Sequence, residues 1–267
     1  MTRSRRSAGR KPTPAALHRE VILGRNPVLE VLRAGRRKVW RVRLAEGARP
    51  TGPLAEILTL AESRGIPVER VTREALEAES GKSHGIAADA DRFSYCTLDD
   101  ILDEARRRAT APFVLLLDLL QDPQNVGTLL RTADAVGISG VVVPLGRAVG
   151  VTPAVVSASA GASEHLWIAA ENLAVAIGRL QEEGVRVIGL EAGPESVPIE
   201  DVPLGGPLAL VVGSEGGGLR RLVRERCDVL CLLPMRGRVA SLNAAVAGSI
   251  ALYLAGASRP PVGSDLG

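Results

Sequence analysis

Five polar side chains stand near the starts of helices that follow apolar runs: Asn125 and Arg131 in DPQNVGTLLRTADAVG, Glu215 in VVGSEGGGLRR, and Ser241 and Asn243 in LPMRGRVASLNAAVAGSIALY. Each has a plain structural use. In the first stretch Val126, Leu129, Leu130, Ala133 and Gly137 recur at helical spacing as a core-facing stripe. Asn125 then falls at the N-cap, and Arg131, about 140° around the helix from Val126, falls on the opposite face beside Thr128 and Ala135. A cap and a solvated charge describe that pair well. The second stretch places glycines 213, 216, 217 and 218 at a strand end, which lets main chain approach a ligand closely. Their spacing is not the dinucleotide GxGxxG, no GK[ST] follows, and Val212 stands where a nucleophile elbow needs Gly, so nucleoside-triphosphate and hydrolase readings weaken. Ser241 reads as an ordinary helix cap, with Asn243 in the same first turn. What favours chemistry is that three polar or Gly-rich strand ends of this kind occur in one sheet.

That sheet is expected from the pattern after Pro112. FVLLLD, GVVVP, HLWIA, VRVIGLE, LALVVG and VLCLLP are apolar strands alternating with helical stretches near 152–162, at NLAVAIGRLQEEG, after EGGG and at SLNAAVAGSIALYLAG. Such alternation means a parallel sheet covered on both faces, with ligands at the carboxyl ends of its strands. The loops at 118–125, 213–218 and 234–241 are therefore where a site should lie. Ahead of it, residues 19–92 read as a small α/β domain: NPVLEVLRAG with a capping Asn and Pro at the first helical position, KVWRVRLA as a strand, GPLAEILTLAESRG as a helix, and IPVERVT and HGIAADA as short strands. Residues 93–112 read as a connecting helix and linker, 113–257 as the larger domain, 258–267 as a tail, and 1–18 as a disordered basic arm.

Composition narrows the function. The chain has 267 residues, 46% of them hydrophobic, with no apolar run long enough to span a membrane and no secretory leader behind the basic N-terminus, so a cytoplasmic protein is expected. Cys96, Cys227 and Cys231 lack metal-site spacing, and His18, His84 and His165 form no local ligand motif, so no metal is predicted. The formal charge of +3 divides unevenly: +5 over residues 1–18, +3 over 19–95 and −5 over 96–267. Arg33, Arg36, Arg37, Lys38, Arg41 and Arg43 form a run without an acid between residues 31 and 45, the kind of patch a polyanion would meet. Only 2% of residues are aromatic, which argues against a base-stacking platform.

Together the three stretches resemble the SpoU, or TrmH-type, family of RNA ribose 2′-O-methyltransferases of the SPOUT class, over about residues 113–256. Residues 20–90, with ILGRNPVLEVLRAG and KSHGIAA, resemble the small RNA-binding domain of the subfamily that methylates a guanosine of large-subunit (23S) ribosomal RNA. That subfamily has His-Gln-Gly where this chain has Ser83, His84 and Gly85. The resemblance implies an α/β fold with a C-terminal trefoil knot, a homodimer that completes the site, RNA as substrate, and S-adenosyl-L-methionine held by Gly213, Ser214, Leu233, Pro234, Met235 and Leu242. It assigns Asn125, Arg131, Glu215, Ser241 and Asn243 to catalysis and Arg25, Asn26 and His84 to substrate binding. An Arg side chain is a poor base, so Arg131 is expected to grip the target phosphate and stabilise the developing alkoxide. Asn125, Ser241 and Asn243 would orient ribose and methyl donor, and Glu215 would order the loops or accept the proton. Two alternatives stay open: the same reaction on transfer RNA, and a ribosome-assembly factor of this fold without catalysis.

Overall fold

The computed structural model describes residues 19–80, 84–146, 149–239 and 241–260. The arm at 1–18 and most of the tail lie outside the described residues.

The larger sheet has seven parallel strands: β5 (Phe113–Asp118), β6 (Gly140–Pro144), β7 (Ile168–Glu171), β8 (Arg186–Leu190), β9 (Val197–Pro198), β10 (Leu208–Gly213) and β11 (Val229–Leu232), in the order β7-β6-β5-β10-β8-β11-β9. Side chains alternate across it. Phe113, Leu115, Leu117, Leu208, Leu210 and Val212 face one way, under α5 (Pro123–Ala135), α6 (Pro153–Ala158) and α9 (Ala244–Ala257). Val114, Leu116, Ala209 and Val211 face the other, under α4 (Leu98–Arg107), α7 (Leu173–Glu182) and α8 (Arg221–Arg226). The segment read as a connector thus forms part of the second cover: α4 opens with a Thr97–Asp100 capping box, and its Ile101 packs where a Cβ on Gly140 would lie 2.7 Å away.

The smaller sheet, order β1-β4-β2-β3, comprises β1 (Arg19–Leu23), β2 (Val39–Ala45), β3 (Val68–Val71) and β4 (Ile86–Asp91), with α1 (Arg25–Ala34), α2 (Pro53–Ser63) and α3 (Arg73–Ser80). One continuous apolar cluster runs from Ile22, Val28, Leu32 and Ile57 into Leu129, Val155 and Leu252 of the larger sheet's first face. Buried charge reinforces the seam: Arg37 donates to both oxygens of Glu164, at 2.9 and 2.6 Å, with each side chain 1% exposed.

Three caps differ from the sequence reading. Asp122, followed by Pro123, caps α5, so Asn125 lies inside its first turn. Asn243 caps α9, accepting from the N–H groups of Ala245 and Val246, and Ser241 lies outside that helix. α1 starts at Arg25 after Gly24 with no side-chain cap, so Asn26 is in the helix. Gly137 leaves the expected stripe as well: it lies past the end of α5 at φ 70°.

Candidate active site

Asn125, Glu215 and Asn243 come from three separate strand ends and meet. Asn243 donates to Asn125 Oδ1 at 3.1 Å and to Glu215 Oε2 at 3.2 Å, and Asn125 donates to the same Glu215 oxygen at 3.5 Å. The crossover order brings them together, because β5 and β10 are neighbours and α9 packs on α5 beside them.

The cluster lies at the edge of a pocket of about 490 Å³ over the carboxyl ends of β10, β8 and β11. Its wall includes Leu190, Val212, Leu232, Leu233, Met235, Leu242, Ala244 and Ala247, with the main chain of Gly213–Gly218 along one side. Of the residues expected to hold a cofactor, Gly213, Ser214, Leu233, Met235 and Leu242 line this pocket, together with Glu215, Ser241 and Asn243. Pro234 is exposed and is not part of the wall.

Local contacts explain the loop's composition. Ser214 and Gly218 exchange backbone hydrogen bonds at 3.1 and 3.0 Å, which folds the loop back on its own strand. A Cβ on Gly213 would lie 2.4 Å from the Gly218 carbonyl oxygen. This glycine is therefore required by the close approach of main chain to main chain within the loop, rather than by a ligand directly. At the far end of the loop, fully buried Asp118 accepts from Arg220 N at 2.7 Å and Arg220 Nε at 2.6 Å, anchoring it to β5.

Arg131 lies elsewhere. It is on the exposed face of α5 with Thr128 and Ala135, has no hydrogen bond or ion pair among the described residues, and does not line the pocket. The helical period placed it correctly; among the described residues it makes no hydrogen bond to Asn125, Glu215 or Asn243. The sequence reading missed Glu191 and Ala192, which follow β8 and line the pocket. Their signal was the carboxyl end of VRVIGLE, a strand end in the same sheet.

The sequence profile of the SpoU rRNA Methylase family matches residues 112–253, which include the whole cluster and pocket. The chain belongs to this family. A second profile, RNA 2′-O ribose methyltransferase substrate binding, matches residues 21–96. Among relatives, a putative TrmH family tRNA/rRNA methyltransferase, YacO of Bacillus subtilis, is 40% identical over 91% of this chain and 98% of its own. The 23S rRNA (guanosine-2′-O-)-methyltransferase RlmB of Coxiella burnetii is 38% identical over 87% and 93%. An AdoMet-bound rRNA methyltransferase from Sinorhizobium meliloti has the same fold, with a TM-score of 0.72 at 24% identity, covering 90% of this chain and 88% of its own. The SpoU chain is thus an RNA methyltransferase with a parallel α/β sheet and a small N-terminal domain.

In this SpoU methylase the predicted substrate residues Arg25, Asn26 and His84 line a second cleft, of about 650 Å³, together with Arg73, Glu77, Ser157 and Ala160. The cleft lies between α1 and α6, where the two sheets adjoin. The basic run at 33–43 does not form the expected free patch. Arg33 pairs with Glu30 and Glu56, Arg37 with Glu164 and Glu20, Arg41 with Asp89 and Glu69, and Arg43 with Asp89. Arg36 donates to the Leu166 carbonyl at 2.6 Å, and Lys38 sits over the Trp40 ring. Acids from distant positions compensate most of these cations. The three cysteines are free, and burial pushes the Cys227 thiol up to about 12 and those of Cys96 and Cys231 to about 11. Among the described residues there is no metal-binding cluster and no helix long and apolar enough to cross a membrane.

Proposed function

We propose that this protein transfers a methyl group from S-adenosyl-L-methionine to a ribose 2′-hydroxyl of RNA, with a guanosine of 23S ribosomal RNA as the target and the cytoplasm as the setting. The observation that carries the reading is the Asn125–Asn243–Glu215 cluster at the rim of the strand-end pocket. The pocket suits the cofactor: its volume is in the range of small-molecule sites, its wall is mixed, with apolar side chains from Leu190, Val212, Leu232, Leu233 and Leu242, and glycine main chain supplies polar groups without side-chain bulk. When bound, the cofactor supplies an electrophilic methyl on a sulfonium. Asn125 and Asn243 orient the ribose, each with its amide held by the other two members of the cluster. Glu215 is the one group of the three able to accept the hydroxyl proton. The relative named RlmB, aligned along most of both chains, supports the 23S guanosine.

The same reading includes a trefoil knot and a homodimer. β11 lies on the far side of β8 from β10, while α9 packs against α5, and Leu233, Met235, Ser241, Leu242 and Asn243 between them line the pocket. α9 leaves Val246, Ile250, Tyr253 and Leu254 exposed, and Leu242 and Met235 continue that apolar face to the pocket wall. A second copy seated there would cover the pocket and bring its Arg131 to the cluster. The deciding experiment is to map 2′-O-methyl groups in ribosomal RNA from a deletion strain, and to restore the missing one with the purified protein and labelled S-adenosylmethionine. A complete methylation map in the deletion strain would rule out the ribosomal target.

A further inference from the structure

We propose that Glu191 is a cofactor-positioning residue that accepts hydrogen bonds from the two ribose hydroxyls of S-adenosylmethionine; this rests on the cofactor reading above. Glu191 directly follows β8 and lines the pocket between the glycine loop and the end of β11. Its main chain is tied on both sides: its N–H donates to the Cys231 carbonyl at 2.9 Å, and its carbonyl accepts from Ser196 Oγ at 2.7 Å. The backbone from which the carboxylate projects is therefore fixed beside the pocket.

The side chain is mostly buried, and Oε2 has no hydrogen-bond partner among the described residues. A buried oxygen without a donor is costly unless something else supplies one. Arg224 Nε is 3.6 Å away, near enough to compensate charge but not to donate, and it too lacks a partner. On the other side Oε1 lies 3.1 Å from where a Cβ on Gly218 would be, so the group packs against the glycine loop. Glu215, the other acid of the pocket wall, is already engaged by Asn125 and Asn243. What Glu191 lacks is donors rather than a countercharge. Vicinal hydroxyls meet that need, since a carboxylate's two oxygens match a diol, as acidic residues beside strand ends do for nucleotide riboses in other parallel sheets. A methionyl ammonium would be a poorer match for an acid that already has a cation beside it.

Calorimetry on the full chain tests this with three probes: S-adenosylhomocysteine, 5′-methylthioadenosine, which lacks the amino-acid tail, and the 2′-deoxy form of methylthioadenosine. Binding of S-adenosylhomocysteine to the wild-type chain tests the cofactor reading itself. Given that binding, Glu191→Gln should weaken S-adenosylhomocysteine and 5′-methylthioadenosine alike, by about tenfold, the scale of one hydrogen bond to a charged group. The 2′-deoxy probe keeps only the 3′-hydroxyl, so the difference between wild type and variant should be smaller for it than for 5′-methylthioadenosine. Glu191→Asp keeps the charge beside Arg224 but withdraws the oxygens, and should lose the same preference for ribose over deoxyribose should the Gln variant not fold. Loss confined to S-adenosylhomocysteine would move the contact to the ammonium and overturn the proposal, as would unchanged affinity for all three probes.

Discussion

The side chain of Asn243 does two things at once: its Oδ1 caps α9, and its Nδ2 donates to Oδ1 of Asn125, 118 positions earlier in the chain. The helix start is thereby locked to the site's geometry. Asn243→Asp keeps an acceptor for the cap but replaces the amide donor with a carboxylate facing Glu215. Methyl transfer should fall by about 100-fold or more, the scale of one preorganised donor, with little loss of stability. Asn243→Ala should lose activity and about 1 kcal/mol of stability together. Paired assays of thermal unfolding and methyl incorporation check both, and an Asp variant of normal activity would remove the amide from the mechanism.

Arg131 separates stability from activity in the other direction. Arg131 is exposed and has no partner among the described residues, so Arg131→Ala should change stability by less than about 0.5 kcal/mol. If it serves the site of a second copy, a mixture of Arg131→Ala and Asn243→Asp protomers should regain activity that neither variant has alone, because a mixed dimer contains one site with both residues intact. Methyl incorporation after co-refolding the two variants is the measurement. No recovery would place both residues in the site of one protomer.

The legible parts of the fold were those set by local pattern. FVLLLD and LALVVG are β5 and β10 to the residue, because each is a continuous apolar run closed by a residue that ends it. Helix starts were less legible, since Asp122, Pro123 and Asn125 all carry N-terminal signals and only the folded chain shows which one caps. The one signal for Glu191 was its place at a strand end. It matters because β8 sits between β10 and β11, an order no window of sequence reveals. The charged run was misread for the same reason. Arg41 and Arg43 share one face of β2, and their acid, Asp89, lies on the neighbouring strand β4, more than forty positions away.

That buried charge has a stability consequence at the seam. Arg37 also pairs with Glu20, whereas Glu164 has no other ion pair among the described residues, so Arg37→Met, which leaves the Glu164 charge buried and unpaired, should cost about 3–5 kcal/mol. Replacing both Arg37 and Glu164 with apolar residues of similar volume should recover most of the loss. Urea unfolding of the single and double variants decides it, and a cost below about 1 kcal/mol for the single variant would mean that water reaches the pair.

Glu104 sets a pH dependence. Hydrogen bonds from Arg107 and then Arg108 hold its carboxyl down, from 4.5 to about 2, so the charged form is favoured in the folded state. A depressed carboxylate contributes stability above its unfolded value and loses it as pH falls through the folded one. Glu104→Gln should therefore melt below wild type at pH 7, with the gap closing between pH 4.5 and 2. The exposure of Arg107 keeps the effect modest through solvent screening. Melting curves across that range check the sign, and a gap that widens toward acid would refute it.

RNA binding should follow the cations that the fold leaves free. Deleting the N-terminal domain would be a poor test, since its core is continuous with that of the catalytic sheet and the deletion would expose both. Point substitutions avoid this. Arg25 and Arg73 face the cleft between α1 and α6 and have no ion pair among the described residues, whereas Arg33 is held by Glu30 and Glu56. A phosphate contact releases counterions, so each one lost lowers the slope of log affinity against log salt by about 0.7–0.9. Arg25→Ala and Arg73→Ala should each reduce the slope by roughly that amount, while Arg33→Ala leaves it unchanged and cofactor affinity stays constant in all three. Measuring affinity for a ribosomal RNA fragment over a salt series would show this directly. A slope that responds to Arg33 and not to Arg25 or Arg73 would return the RNA to the 33–43 face and leave the cleft without a role in binding it.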